Sequence, residues 1–171
     1  LCARASYYIC KYANMIVFED FDESLFATLL TLRQNIYTDP QKPLQVESKI
    51  YEFNNPDENS LIFMTTNFAL TYYAVANELE NLNVPSYLLI VPAEGMSVLT
   101  AWSAEKFTVK TVANTIKNLG LENKVKTRKI IIPGLLADIK DELQQEIPQF
   151  EFVVGTVDSF AIGDFVKNLK D

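Results

Sequence analysis

The 171-residue chain contains no histidine. That absence excludes a Ser-His-Asp or Cys-His nucleophile system and any imidazole metal ligand. Acid–base chemistry would be left to carboxylates, lysine or tyrosine, and no carboxylate pair stands out from the surface helices. Conventional hydrolysis is therefore a poor match. Cysteine is almost absent too: Cys2 and Cys10 fall near one face of a single expected helix. Two thiols without histidine make neither an ordinary structural zinc site nor a four-cysteine iron–sulfur cluster. The expectation is a buried, reduced pair in a cytoplasmic protein. No apolar run approaches the roughly 18 residues needed to span a bilayer. A net charge of −7 argues against a nucleic-acid partner, which would be bound by neutralising phosphates. Neither GxGxxG nor a Walker A motif is present, so the usual nucleotide fingerprints fail.

Glycine is scarce and unevenly placed. All five glycines lie in the second half, and three close an apolar run that reads as a strand. Residues 87–91 lead to Gly95, 129–132 to Gly134 and 150–154 to Gly155, whereas a fourth run, 61–64, ends in Thr65-Thr66-Asn67. Glycine at a strand end lets backbone come close to whatever lies across it. Ligands of open α/β sheets sit outside the carboxyl ends of the strands. The second half is thus expected to hold a large ligand along one edge of a parallel sheet.

The periodicity organises the chain into three parts. Residues 1–12 predict a helix, 15–19 a short strand and 22–37 a second helix, with Leu25, Leu29, Leu32 and Ile36 at helical spacing and Asp22 or Ser24 as its cap. The chain opens on Leu1 within a helical pattern, which reads as a fragment of a longer polypeptide. Pro40 and Pro43 punctuate 39–43, and 44–59 reads as an extended, irregular linker. From Leu61 strands and helices alternate: helices are expected over 68–82, 108–119 (closed by Gly120), 135–146 and 164–169, and a short helix or loop over 97–106. Apolar strands separated by helices predict a parallel sheet covered on both faces. Residues 1–39, 40–59 and 60–171 are accordingly expected as a partial β/α structure, a linker and an α/β domain.

Three loops offer chemistry. Thr65-Thr66-Asn67, running into Phe68-Ala69-Leu70-Thr71, is either a polar nest for a ligand's amide or phosphate groups or simply an N-cap. Glu94-Gly95-Met96-Ser97-Val98-Leu99 places apolar residues where an exposed loop would not. They suit either a neighbouring domain or the face of a large flat ligand. The third loop, 154–162, carries Gly155 and Ser159.

Long strings of the chain resemble a known family. "TLRQNIYTDPQKPLQVE" (31–47), "TTNFALTYY" (65–73), "EGMSVLTAW" (94–102) and "KVKTRKIIIPG" (124–134) are similar to the large (gamma) subunit of the corrinoid iron–sulfur protein of the acetyl-CoA (Wood–Ljungdahl) pathway. The resemblance implies a C-terminal fragment: the last βα unit of a truncated TIM barrel at 1–39, a linker at 40–59 and a Rossmann/flavodoxin-like corrinoid-binding domain at 60–171. The family's 4Fe–4S cluster would lie upstream of Leu1. The implied cofactor is cobalamin held base-off, with no protein side chain on cobalt. The implied function is a methyl carrier, which accepts a methyl group from methyltetrahydrofolate on Co(I) and delivers it to acetyl-CoA synthase. Its partners would be the family's small subunit, the methyltetrahydrofolate methyltransferase, acetyl-CoA synthase and a reductive activator. Carried over by motif, Thr65 and Thr71 would hydrogen-bond the corrinoid, Gly95, Met96, Ser97 and Val98 would form the loop against it, and Ser159 would complete the pocket. On this reading Gly95→Val blocks close approach and lowers cobalamin binding. The alternative is a docking module of the same fold without its own cofactor site, in which Met96, Val98, Leu99 and Trp102 are interface residues. A flavodoxin-like flavin or nucleotide binder is a further rival that lacks its usual phosphate loop.

Overall fold

The computed structural model describes residues 1–37 and 43–169. The chain divides into two compact units, Leu1–Gln41 and Lys42–Asp171. In the first, helices α1 (Cys2–Cys10) and α2 (Glu23–Tyr37) pack through Ala5, Ile9 and Leu29. Asp22 caps α2 as expected, its Oδ1 accepting from the Leu25 amide at 2.8 Å. The strand expected over 15–19 does not form. Among the described residues this unit holds no other strand to pair with it, and unpaired strand backbone gains nothing over solvated coil. Ile16 and Phe18 instead rest against the helix pair, while Met15 and Val17 stay exposed. Both thiols are free, but neither is buried: Cys2 is half-buried and Cys10 exposed. The break expected over 39–43, and with it the 39/40 boundary, falls on residues outside the described ones except for Pro43.

The second unit is built on one sheet. Strands β1 (Ile50–Phe53), β2 (Leu61–Thr66), β3 (Ser86–Val91), β4 (Lys129–Ile132) and β5 (Glu151–Val154) lie in the order β1-β3-β2-β4-β5. Four of them are the expected parallel strands. The fifth, β1, pairs antiparallel with β3, which makes the sheet mixed rather than wholly parallel. It lies inside the stretch expected to be an irregular linker. An edge strand needs only one apolar face, and a four-residue run gives that pattern little length in which to show.

Every residue of β3 is buried, as a strand covered on both faces requires. One face packs beneath α3 (Ala69–Asn81) and α8 (Ile162–Asn168), through Leu88, Ile90, Ala76, Leu79 and Val166. The other packs beneath α4 (Val98–Ser103), α5 (Val109–Asn118), α6 (Leu121–Lys124) and α7 (Lys140–Glu146), with Leu89, Val112, Ile116 and Leu143 in its core. Thr108 caps α5, its Oγ1 accepting from the Thr111 amide at 3.1 Å. Gly120 takes φ +62° beyond the end of α5, the left-handed conformation of a helix stop. The single helix expected over 135–146 is two: a 3₁₀ turn, Gly134–Ile139, gives way to α7, with a kink at Leu136.

The connection through α3 carries the chain from β2 to one side, and the connection through α4–α6 carries it back to the other. Parallel neighbours β2 and β4 therefore part where the winding reverses, in an order compatible with a flavodoxin-like sheet. Leu88, fully buried at the centre of β3, should be among the costliest positions to truncate. Leu88→Ala is expected to lower unfolding free energy by about 3 kcal/mol, read from denaturant titration.

Candidate functional site

The reversal between β2 and β4 opens a cleft of about 470 Å³. Its floor is the carboxyl ends of the two strands, with Phe63, Met64 and Thr65 from β2 and Ile131 and Ile132 from β4. The first turns of α3 bring Leu70 and Thr71 to one wall, the start of α4 brings Ser97 and Val98, and the loop after β5 brings Thr156–Ser159. Such a position, outside the strand ends at a topological switch point, is where open α/β sheets bind ligands.

Within this apolar setting one polar group stands out. The Thr65 hydroxyl is buried, the residue being 1% exposed, and its Oγ1 has no hydrogen-bond partner in the protein. Leaving a buried hydroxyl unpaired costs about 1–3 kcal/mol; the Thr66 Oγ1, outside the cleft lining, is unpaired as well. Neither Thr65, Thr66 nor Asn67 caps α3. The N-cap is Phe68, without a side-chain bond to the helix. The rim is apolar and open: Leu70, Leu99, Leu135 and Val157 line the cleft and are all exposed.

Asp158 is the one ionisable side chain among the described lining residues, and it is occupied in accepting from the Phe160 amide at 3.1 Å. Side chains with displaced proton affinity lie elsewhere. A hydrogen bond to Glu47 raises Lys49, one from Ser60 lowers Asp57, and burial raises Tyr72. Among the described residues no three Cys, Asp or Glu side chains converge to hold a metal ion. The arrangement suits binding through hydroxyls and apolar surface rather than proton transfer by a carboxylate pair.

Five of the seven residues expected at the site line the cleft: Thr65, Thr71, Ser97, Val98 and Ser159. Gly95 and Met96 do not. Met96 is half-buried against the core beneath α4–α7. A Cβ on Gly95 would meet Gln45 Cγ at 2.7 Å and Pro43 Cγ at 2.8 Å, so this glycine admits the incoming 43–45 segment rather than facing the cleft. Gly134 likewise serves the protein itself. A Cβ there would meet the Val157 nitrogen at 2.7 Å, and the Gly134 amide donates to the Thr156 carbonyl at 2.8 Å. Leu70, Leu135 and Val157 are lining residues that residue type alone did not mark. Only their exposure beside a cleft, a property of the fold, distinguishes them.

Two stability measurements check these assignments. Thr65→Val, which keeps the shape and removes the unpaired hydroxyl, should leave thermal stability unchanged or raise it by up to about 1 kcal/mol. Gly95→Ala, at φ +73° and against Pro43 and Gln45, should lower it by about 1–3 kcal/mol.

Residues 2–166 match the model of a family described as the CO dehydrogenase/acetyl-CoA synthase delta subunit. The chain is 42% identical over 164 residues to the corrinoid/iron–sulfur protein large subunit of Moorella thermoacetica, an alignment covering 96% of this chain and 36% of that protein. It is 37% identical over 159 residues to the acetyl-CoA decarbonylase/synthase complex subunit gamma of Methanothermobacter thermautotrophicus, covering 93% and 34%. The same subunit of Methanocaldococcus jannaschii is 37% identical over 161 residues, covering 94% and 33%. The chain thus spans about a third of the length of the curated relatives it matches. The resemblance carried by its four long strings is borne out, and the chain belongs to the CO dehydrogenase/acetyl-CoA synthase delta subunit family.

Proposed function

We propose that residues 60–171, with β1 completing the sheet, form the corrinoid-binding domain of a methyl carrier in the acetyl-CoA pathway. The observation that carries this reading is the unpaired, buried Thr65 hydroxyl at the floor of an apolar cleft at the switch point. The relatives add support, since the Moorella protein is a corrinoid/iron–sulfur protein large subunit.

A bound corrinoid supplies the cobalt that carries the methyl group; the chain supplies binding and orientation. Thr65, Thr71, Ser97 and Ser159 would hydrogen-bond the polar periphery of the macrocycle. Val98 and the exposed Leu70, Leu99, Leu135 and Val157 would cover its apolar surface and exclude water. None of these 171 residues is a histidine, so this domain would hold the corrinoid without an imidazole of its own, which suits a base-off cofactor. In the same reading residues 1–39 are the closing βα unit of a barrel, and a 4Fe–4S cluster belongs to a part of the protein upstream. The methyl group would come from methyltetrahydrofolate through its methyltransferase and pass to acetyl-CoA synthase, in a cytoplasmic complex with the small subunit and a reductive activator.

A second reading has one observation in its favour. The exposed apolar rim suits a protein surface as well as a macrocycle, so the domain could serve as a docking module. Mixing the chain with hydroxocobalamin, desalting, and recording the ultraviolet–visible spectrum separates the two. Retention of a base-off spectrum is expected, and Thr65→Val should weaken it by roughly tenfold in affinity. No retention, alone or with the small subunit added, would overturn the corrinoid reading in favour of docking.

A further inference from the structure

Asn67, the residue that ends β2's run into α3, spends its side chain entirely within the protein. It is buried, and its Oδ1 accepts from two amides, Ala93 at 2.9 Å and Gly95 at 3.0 Å. Its Nδ2 donates to Gln45 Oε1 at 2.9 Å. Its own amide donates to the Val91 carbonyl and its carbonyl accepts from the Val46 amide, both at 3.0 Å. These bonds tie the end of β2 to the end of β3, to the turn at 93–96 and to the strap at 43–46.

The turn they hold is not one the backbone would choose unaided. The Met96 amide donates to the Ala93 carbonyl at 2.9 Å, and both residues between have positive φ, +53° at Glu94 and +73° at Gly95. Glu94 is not a glycine, and such conformations persist where the surroundings over-determine them. The Glu94–Lys106 ion pair, 2.8 Å long, is too exposed to supply much of that restraint. The buried acceptor of Asn67 supplies it. Directly after this turn come Ser97 and Val98, and two residues before Asn67 comes Thr65; all three line the cleft.

We infer that Asn67 is a positioning residue for the cleft, a latch that fixes the wall carrying Ser97 and Val98 relative to the floor carrying Thr65. It would act without touching the ligand, since it is not among the lining residues. The inference rests on the corrinoid reading only for the identity of the ligand.

The test uses the 171-residue chain with hydrogen exchange at the Ala93 and Gly95 amides and hydroxocobalamin affinity as readouts. In Asn67→Leu both amides lose their acceptor; their exchange should rise at least about tenfold and affinity should fall by about tenfold. Asn67→Asp still accepts from both amides, and Gln45 can turn its amide to donate, so both readouts should stay within about threefold of the parent. Asn54→Ala is the control. Asn54 donates to the carbonyls of Leu79 in the last turn of α3 and of Val84 beyond it, at 2.8 and 3.2 Å. It should lower thermal stability without moving either readout. If Asn67→Leu does not fold, Asn67→Ser takes its place. Parent-like protection of Ala93 and Gly95 in the folded variant would overturn the latch, as would parent-like affinity. If the parent chain retains no cobalamin, alone or with the small subunit added, the corrinoid reading fails and the exchange data alone decide the latch.

Discussion

The reversal of winding between β2 and β4 is the constraint on which the rest of the second unit depends. Parallel strands need crossover connections, and each crossover lays a helix on one face of the sheet. Here the connection after β2 goes to one side and the later ones to the other, so the helices that would meet above the strand ends diverge instead. The space they leave is the cleft. Its floor is ordinary core, the ends of two buried strands, and its walls are the first residues of whatever follows each strand. Position, rather than any sequence motif, makes this a site.

That origin explains its chemistry. Strand ends in a covered sheet are apolar, so a cleft at this place inherits an apolar lining and must acquire its few polar contacts from the residues where strand passes into loop. Thr65 is such a residue, as are Ser97 and Ser159 at the starts of their helical turns. Hydroxyls near an apolar surface orient a large uncharged ligand more than they bind it tightly. Most of the affinity would then come from covered area, and the specificity from a few oriented bonds.

The alternation of apolar runs and helices made the fold class and four of the five strands legible in the sequence, because burial on both faces leaves a continuous apolar run. β1 was hidden by its position: an edge strand of four residues looks like any extended loop. The first unit shows the opposite failure, where 15–19 has strand composition and, among the described residues, no strand to pair with. Of the residues the resemblance names, Thr65, Thr71, Ser97, Val98 and Ser159 line the cleft. Gly95 packs against Pro43 and Gln45 instead, and a glycine that admits a neighbouring backbone segment and one that admits a ligand look alike in sequence. Asn67 stood in plain view within Thr65-Thr66-Asn67, but its three side-chain partners are 22 to 28 residues away and meet it only in the fold.

The antiparallel pairing of β1 with β3 also bears on where the domain can be cut. β3 is buried along its whole length and apolar from Tyr87 to Val91, and β1 occupies the hydrogen-bonding side that β2 does not. A chain begun at Leu61, the first residue of β2, would keep the whole cleft lining yet leave β3 as a bare edge. Unpaired, wholly apolar edge strands are templates for pairing with other chains. The short segment Ile50–Phe53, none of which lines the cleft, thus covers the edge that β3 would otherwise present to another chain.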